Sequence, residues 1–245
     1  MARTALITGS GRNIGRAIAL HLAASGHNIV INGSSDRAIC ETVASEVRAL
    51  GVEAIVAMGN IGERDENKAI SQAAMDHFGG VDVLVNNAAV RPDGDFLSMD
   101  EDDWDRVINI NMSSAFWLGR ACIPGMVERG YGRIINFTGM NAQQGYVGKM
   151  HVTVSKHAMW GMTKSLAKEF GRVGITSNII SPGTIVGESS DTHSMHGRLE
   201  TLLASNPVGR LGTPDDIAAM VDLLVSDKGG FINGQLLQIN GGVVT

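Results

Sequence analysis

The chain is poor in cysteine, proline and aromatic residues, with two, five and 4% respectively among 245 residues. No apolar run approaches the length of a membrane span. Each shortage excludes something. Cys40 and Cys122 fall far apart in predicted helices, so no disulfide framework is expected and both read as packing residues in a reducing compartment. No Pro/Ser-rich break, low-complexity tract or fixed-period repeat divides the sequence, which leaves no linker between domains. The net charge of -5, a pI of about 5.8 and the lack of a basic cluster argue against nucleic acid as a partner. A strand predicted directly after Met1, with no membrane span, leads to the expectation of a soluble, cytoplasmic protein with no membrane partner. What is abundant fits a core: 44% of residues are apolar, only 18% are charged and 31 are glycine, as suits a large α/β domain with much buried parallel sheet.

The stretch Thr4–Ala24 organises the rest. Ala5, Leu6 and Ile7 are a short apolar run consistent with a buried strand, a glycine-bearing turn follows, and Ile14, Ile18 and Leu22 then recur at helical spacing. Strand, glycine turn and helix make a place to hold phosphate. Glycine lets the backbone turn tightly and approach a pyrophosphate, and the free N–H groups and dipole of the helix start favour its charge.

The string TGSGRNIG (residues 8–15) resembles the TGxxxGxG fingerprint of the short-chain dehydrogenase/reductase family. The resemblance continues along nearly the whole chain, at NNAA (Asn86–Ala89), Asn111, Lys156, SPG (Ser181–Gly183) and QINGG near the end. It implies one doubly wound Rossmann domain over residues 1–245, with about seven parallel strands, helices on both faces and the site at the strands' C-terminal ends. Gly9, Arg12, Asn13, Ile14 and Gly15 would then line the cofactor. Asn13 stands where the family usually has its second glycine, and asparagine tolerates positive φ better than most residues.

Asn28–Asn32 reads as the second strand, at whose end NAD-preferring members carry an acidic residue for the ribose. That position here is Gly33. Without a carboxylate to repel a 2'-phosphate, and with Arg12, Ser34, Ser35 and Arg37 nearby, NADP(H) is expected over NAD(H), and Gly33→Asp is expected to shift the preference back. Ser35 or Asp36 would also cap a helix running through Leu50. Glu53–Ala57 reads as the third strand, with Asn60 and Ile61 as adenine-end contacts, and a polar helix spans about Glu63–Phe78. The fourth strand ends at Asn87 and Ala88, both taken as cofactor contacts. Arg91 follows in a loop passing near the nicotinamide, where it is suited to hold an anionic substrate group. Asp100–Val127 reads as a long helix interrupted near Pro124, carrying Asn111, the family's active-site asparagine.

The stretch that decides the chemistry departs from the family. In its members a serine after the fifth strand polarises the carbonyl, a tyrosine transfers the proton, and a lysine four residues on lowers the tyrosine's pKa and binds the nicotinamide ribose. Lys156 is present, within a helix expected from about His151 to Phe170, but the tyrosine position is Val152 and the serine position Gly139. Tyr146 and His151 are the candidate replacements, with Thr138 beside the vacant serine position. Gly139 and Val152 would line the substrate. Gly174–Ile180 is the sixth strand. Pro182, Gly183 and Ile185 match the loop that contacts the nicotinamide amide, with Gly187 replacing the usual threonine. Glu188–Pro207 reads as a polar, irregular lid. Its Asp191, His193 and His196 have no further ligand at defined spacing, so no metal is expected. A helix through Val225 and a last strand over Gln235–Asn240 close the chain.

The expected function is therefore an NAD(P)(H)-dependent oxidoreductase with a non-standard active site, acting on a small activated substrate such as an imine. The rival is a non-redox lyase or isomerase, or a cofactor-binding regulatory protein, on the same frame. A homotetramer is expected through the two long helices and the last strand, with Ser155, Ala158 and Gly161 allowing close contact.

Overall fold

The computed structural model describes residues 2–187 and 199–245. Its strands are β1 (Thr4–Ile7), β2 (Asn28–Ile31), β3 (Ala54–Val56), β4 (Val83–Asn86), β5 (Gly132–Phe137), β6 (Ile175–Pro182) and β7 (Leu236–Ile239). They form one parallel sheet in the order β3-β2-β1-β4-β5-β6-β7. Ile7 lies opposite both Ile31 and Val85, so β1, β2 and β4 end at one level. Strand order reverses between β1 and β4, and that is where a doubly wound sheet opens a crevice for a ligand.

Both faces of the sheet are covered. Neighbouring residues of a strand point to opposite faces, so Ala5 and Ile7 enter one core and Leu6 the other. The first core is closed by helices α1 (Asn13–Ala24), α2 (Arg37–Ala49) and α9 (Pro214–Val225), through Ile18, Leu22, Val43, Val47, Ile217 and Val221. The second is closed by α3 (Arg64–Phe78) and α5 (Ser114–Arg129), through Ile70, Leu118 and Met126. Cys40 and Cys122 are free and buried, one in each core. Burial, only partly opposed by the charge of Arg129, pushes the Cys122 thiol up to about 12, so it packs as a small apolar residue.

Asp36 caps α2, its carboxylate accepting from the Ile39 N–H at 3.1 Å, and Ser35 does not. The long helix of the sequence reading is broken, and not at Pro124. Helix α4 (Glu101–Ile108) passes into a π-helical turn (Asn109–Ser113), and α5 then runs through Pro124 without a break. Wide turns of this kind recur at functional sites, and here the turn carries Asn111. A short helix, α6 (Met140–Gln144), precedes α7 (Met150–Phe170). Ser155, expected on an outer face of α7, is instead buried, its hydroxyl donating to the Val152 carbonyl at 2.7 Å.

Residues 188–198, with Asp191, His193 and His196, lie outside the described residues. The remainder of the expected lid is not irregular: Leu199–Ala204 is a helix, α8. Among the described residues no helix is long and apolar enough to cross a membrane.

Candidate active-site cleft

A cleft of about 1000 Å³ runs across the C-terminal ends of the strands, from the glycine turn after β1 to the start of α7. Its dinucleotide end is shaped by close backbone approach. Gly9 has φ +63°, and a Cβ on Gly15 would lie 2.3 Å from the Gly9 carbonyl oxygen. Neither position admits a side chain. Asn13 carries the only positive φ of a non-glycine residue among the described residues, +49°, as its place in the turn demands.

The turn is then locked to its neighbours. The Thr8 hydroxyl accepts from the N–H groups of Asn87 and Ala88, both at 3.0 Å, and the Asn87 amide donates to the carbonyls of Thr8 and Gly9 at 2.9 and 3.1 Å. Asn32 does the same on the other side, its amide donating to Ala57 and Gly59 and its oxygen accepting from Gly9. Asn87 is thus a brace of the cleft as well as part of its wall.

Two departures from the family pattern meet here. A Cβ on Gly187 would lie 2.3 Å from the Asn13 Oδ1, so the asparagine side chain occupies the space that any side chain at 187 would need. Gly33 is constrained too. A Cβ there would approach the Cys40 sulfur at 2.5 Å, so Gly33→Asp requires the Cys40 side chain to shift.

At the other end Lys156 is buried, and its ammonium donates to the Phe137 carbonyl at 2.9 Å. Desolvation, aided by the positive charge of Arg91, pushes its pKa down to about 7. Arg91 is exposed to solvent in the cleft, yet protein crowds it enough that desolvation lowers its pKa as well. The loop bearing Arg91 is fastened by Lys149, which donates to the Arg91 carbonyl at 2.8 Å and pairs with Asp93 at 2.8 Å.

The described lining includes Gly9, Arg12, Asn13, Ile14, Gly15, Ser34, Asn60, Ile61, Asn87, Ala88, Lys156, Pro182, Gly183 and Ile185, with Arg91, Gly139, Tyr146 and Val152 at the reaction end. Ser35, Asn111 and His151 stand outside it. Asn111 is buried one layer back, exchanging hydrogen bonds with the Val90 backbone at 2.8 and 2.9 Å and donating to the Ser155 hydroxyl at 3.2 Å. It therefore holds the loop that leads to Arg91. His151 is buried behind the first turn of α7, close to Gly94, its Nδ1 without a partner among the described residues and its pKa lowered by desolvation. Neither stands at position 152, four residues before Lys156.

That position is apolar: Val152 is 5% exposed. Gly139 is extended, and a Cβ added to it would meet nothing within 4 Å, so a serine would fit and its absence is not forced by packing. Thr153 escaped the sequence reading. Its hydroxyl is buried and unpartnered among the described residues, and the residue lines the cleft beside Val152. Only the helical phase of α7 relative to the cleft reveals it.

Sheet order, glycine cradle and buried lysine together define a dinucleotide-dependent dehydrogenase or reductase. The family model described as enoyl-(acyl carrier protein) reductase matches residues 9–244, and the chain belongs to that family of short-chain dehydrogenases/reductases. It is 37% identical to the 3-oxoacyl-[acyl-carrier-protein] reductase FabG of Staphylococcus aureus over 243 residues, covering 99% of this chain and 98% of that one. It is 38% identical to nodulation protein G of Rhizobium meliloti over 241 residues, covering 98% and 96%. Among solved structures, one described as an NAD(P)-dependent gluconate 5-dehydrogenase from Beutenbergia cavernae with bound NADP superposes with a TM-score of 0.91 at 30% identity, covering 99% of this chain and 97% of that one. The chain is an oxidoreductase of the NAD(P)-dependent kind. The glycine cradle, which a single Cβ would fill, fits that cofactor.

Proposed function

We propose that this protein transfers hydride between NADP(H) and a small substrate whose reacting atom is already activated, such as an imine. The observation that carries the reading is the reaction end itself, where Val152 and Gly139 present no hydroxyl beside Lys156. Reduction of an ordinary ketone needs a proton donor, commonly worth a factor of roughly 10² to 10⁴, and a carbonyl-polarising donor worth roughly 10² to 10³. A protonated imine needs neither.

The cofactor supplies the hydride, and this chain's residues do the rest. Gly9, Asn13, Ile14 and Gly15 cradle the pyrophosphate at the start of α1, with Asn60 and Ile61 at the adenine end. Arg12 and Ser34 favour a 2'-phosphate, and no carboxylate lines the described cleft to oppose it. Pro182, Gly183 and Ile185 hold the nicotinamide end. Lys156 holds the ribose while Asn111 fixes the loop wall, and Val152 leaves space for the substrate. Tyr146, 41% exposed, lines the cleft and is a candidate for the role of the family's tyrosine. Titration of NADPH and NADH by cofactor fluorescence tests the frame, with tighter NADPH binding as the expected result. Equal or tighter NADH binding refutes the preference. A panel of ketones, alcohols and imines tests the chemistry, and ordinary ketone turnover at typical enzyme rates, unaffected by Tyr146→Phe and His151→Ala, refutes it.

The homotetramer belongs to the same proposal. Phe116 on α5, Val154 on α7 and Phe231 before β7 are exposed apolar residues on the faces concerned. Light scattering that reports a monomer at micromolar concentration refutes it.

A further inference from the structure

The described lining of the cleft contains four cations, Arg12, Arg91, Lys149 and Lys156, and no carboxylate. Lys149 is tied to Asp93 and Lys156 is bonded to Phe137. The guanidinium groups of Arg12 and Arg91 make no hydrogen bond or ion pair among the described residues; Arg12 lies at the dinucleotide turn, and Arg91 lies at the reaction end, where its backbone is firmly held. Lys149 binds its carbonyl, Asn111 clamps both backbone groups of the preceding Val90, and the Gly94 N–H donates to the Gly148 carbonyl at 2.8 Å. An arginine at the reaction end whose guanidinium has no partner among the described residues suits an anion carried by the substrate. The planar fork matches a carboxylate, which accepts two parallel hydrogen bonds from it.

Building on the hydride-transfer reading above, we propose that Arg91 binds a carboxylate carried by the substrate next to its reacting C=N group, so that the substrate class is an imino acid. Lys149, which caps the start of α7, binds the Arg91 carbonyl, and Arg91 lines the same cleft as Val152 and Lys156, which puts the carboxylate at the reacting end of the substrate. The step balances without an acid from the enzyme. The imine nitrogen takes its proton from water before transfer, its carbon accepts hydride from the reduced dinucleotide, and the C=N π pair collapses onto nitrogen. The products are the amino acid and the oxidised dinucleotide.

The test compares 1-pyrroline with 1-pyrroline-2-carboxylate as substrates for the wild type, Arg91→Gln and Arg91→Lys. The wild type is expected to favour the carboxylate by more than roughly tenfold in kcat/KM, the worth of a charge-assisted pair. Arg91→Gln should lower the ratio of kcat/KM for the carboxylate to that for 1-pyrroline by roughly 10- to 100-fold, and Arg91→Lys should recover part of that ratio. Equal turnover of both imines by the wild type, or equal loss on both in Arg91→Gln, overturns the proposal. Should neither imine react, the hydride reading of the C=N group fails, and the carboxylate site is judged by binding. Proline, but not pyrrolidine, should then perturb NADPH fluorescence in the wild type and not in Arg91→Gln. Identical responses to both overturn the site.

Discussion

At the glycine turn almost every polar group is tied to another element, and at the start of α7 several are not. Thr8, Asn32 and Asn87 join the ends of β1, β2, β3 and β4 by short hydrogen bonds, and Gly9 and Gly15 have no room for a Cβ. Around Lys156, Gly139 opens onto free space, Thr153 keeps a hydroxyl unpartnered among the described residues, and Arg91 presents a guanidinium likewise unpaired. The difference shows where change is tolerated. A frame whose groups satisfy one another fails when any one is removed, whereas a reaction end with loose partners can exchange its chemistry and leave the fold intact.

The largest expected effect comes from rewriting the loose end. Gly139→Ser together with Val152→Tyr should raise kcat/KM for a 3-oxo ester by roughly 10² to 10⁴, read as NADPH consumption. The pair should leave the fold unchanged by circular dichroism, since position 139 is open. No gain in a folded variant would show that the two hydroxyls are not what the site lacks.

The tied end should respond in the opposite way. Gly187→Thr forces a new Cβ against the Asn13 amide and should weaken NADPH binding by roughly tenfold or more, about 1.4 kcal/mol. Asn13→Gly combined with Gly187→Thr should recover most of that loss, because the asparagine and the glycine occupy one space. Additive losses in the double variant would show that the two departures are independent.

Lys156 offers a pH test between the two regions. The unfolded lysine keeps its proton to its ordinary value of 10.5, and the folded one releases it near 7. Across that window the unfolded state binds more protons, so apoprotein stability rises with pH, and below about 7 the full cost of the buried charge is present. Lys156→Met should therefore gain most in melting temperature at pH 7 and progressively less toward pH 10. A gain that does not change with pH would contradict the buried charge.

The smallest effect lies far from the cleft, in the capping box of α9. The Asp216 carboxylate is held well below the usual carboxylate range by Arg210 and by the Thr213 N–H, and the Thr213 hydroxyl accepts from the Asp216 N–H. Thr213→Ala should cost about 1 kcal/mol in denaturant unfolding and leave NADPH affinity unchanged.

Most of the frame was legible in the order of residues. Apolar strands, glycine spacing and helix caps are local signals, and so were the positions of Val152 and Gly139, found by counting from Lys156. The break at Asn109–Ser113 was not legible, because an extra residue in a helical turn leaves no periodicity to read and Pro124, the obvious breaker, lies inside an unbroken helix. The burial of Ser155, and the positions of Asn111 and His151 behind the described lining, were not legible for a related reason: which way a helix turns its faces is set by what it packs against.

By itself the sequence determined the doubly wound frame and the dinucleotide turn, since each depends on neighbours within a few residues or on a spacing from a motif. Only the tertiary structure decided that Asn13 fills the space at Gly187, that Cys40 crowds Gly33, and that Arg91 stands unpaired among the described residues near a buried Lys156. These are contacts between residues far apart in the chain, and distance along a chain carries no information about distance in space until the sheet brings its strand ends together.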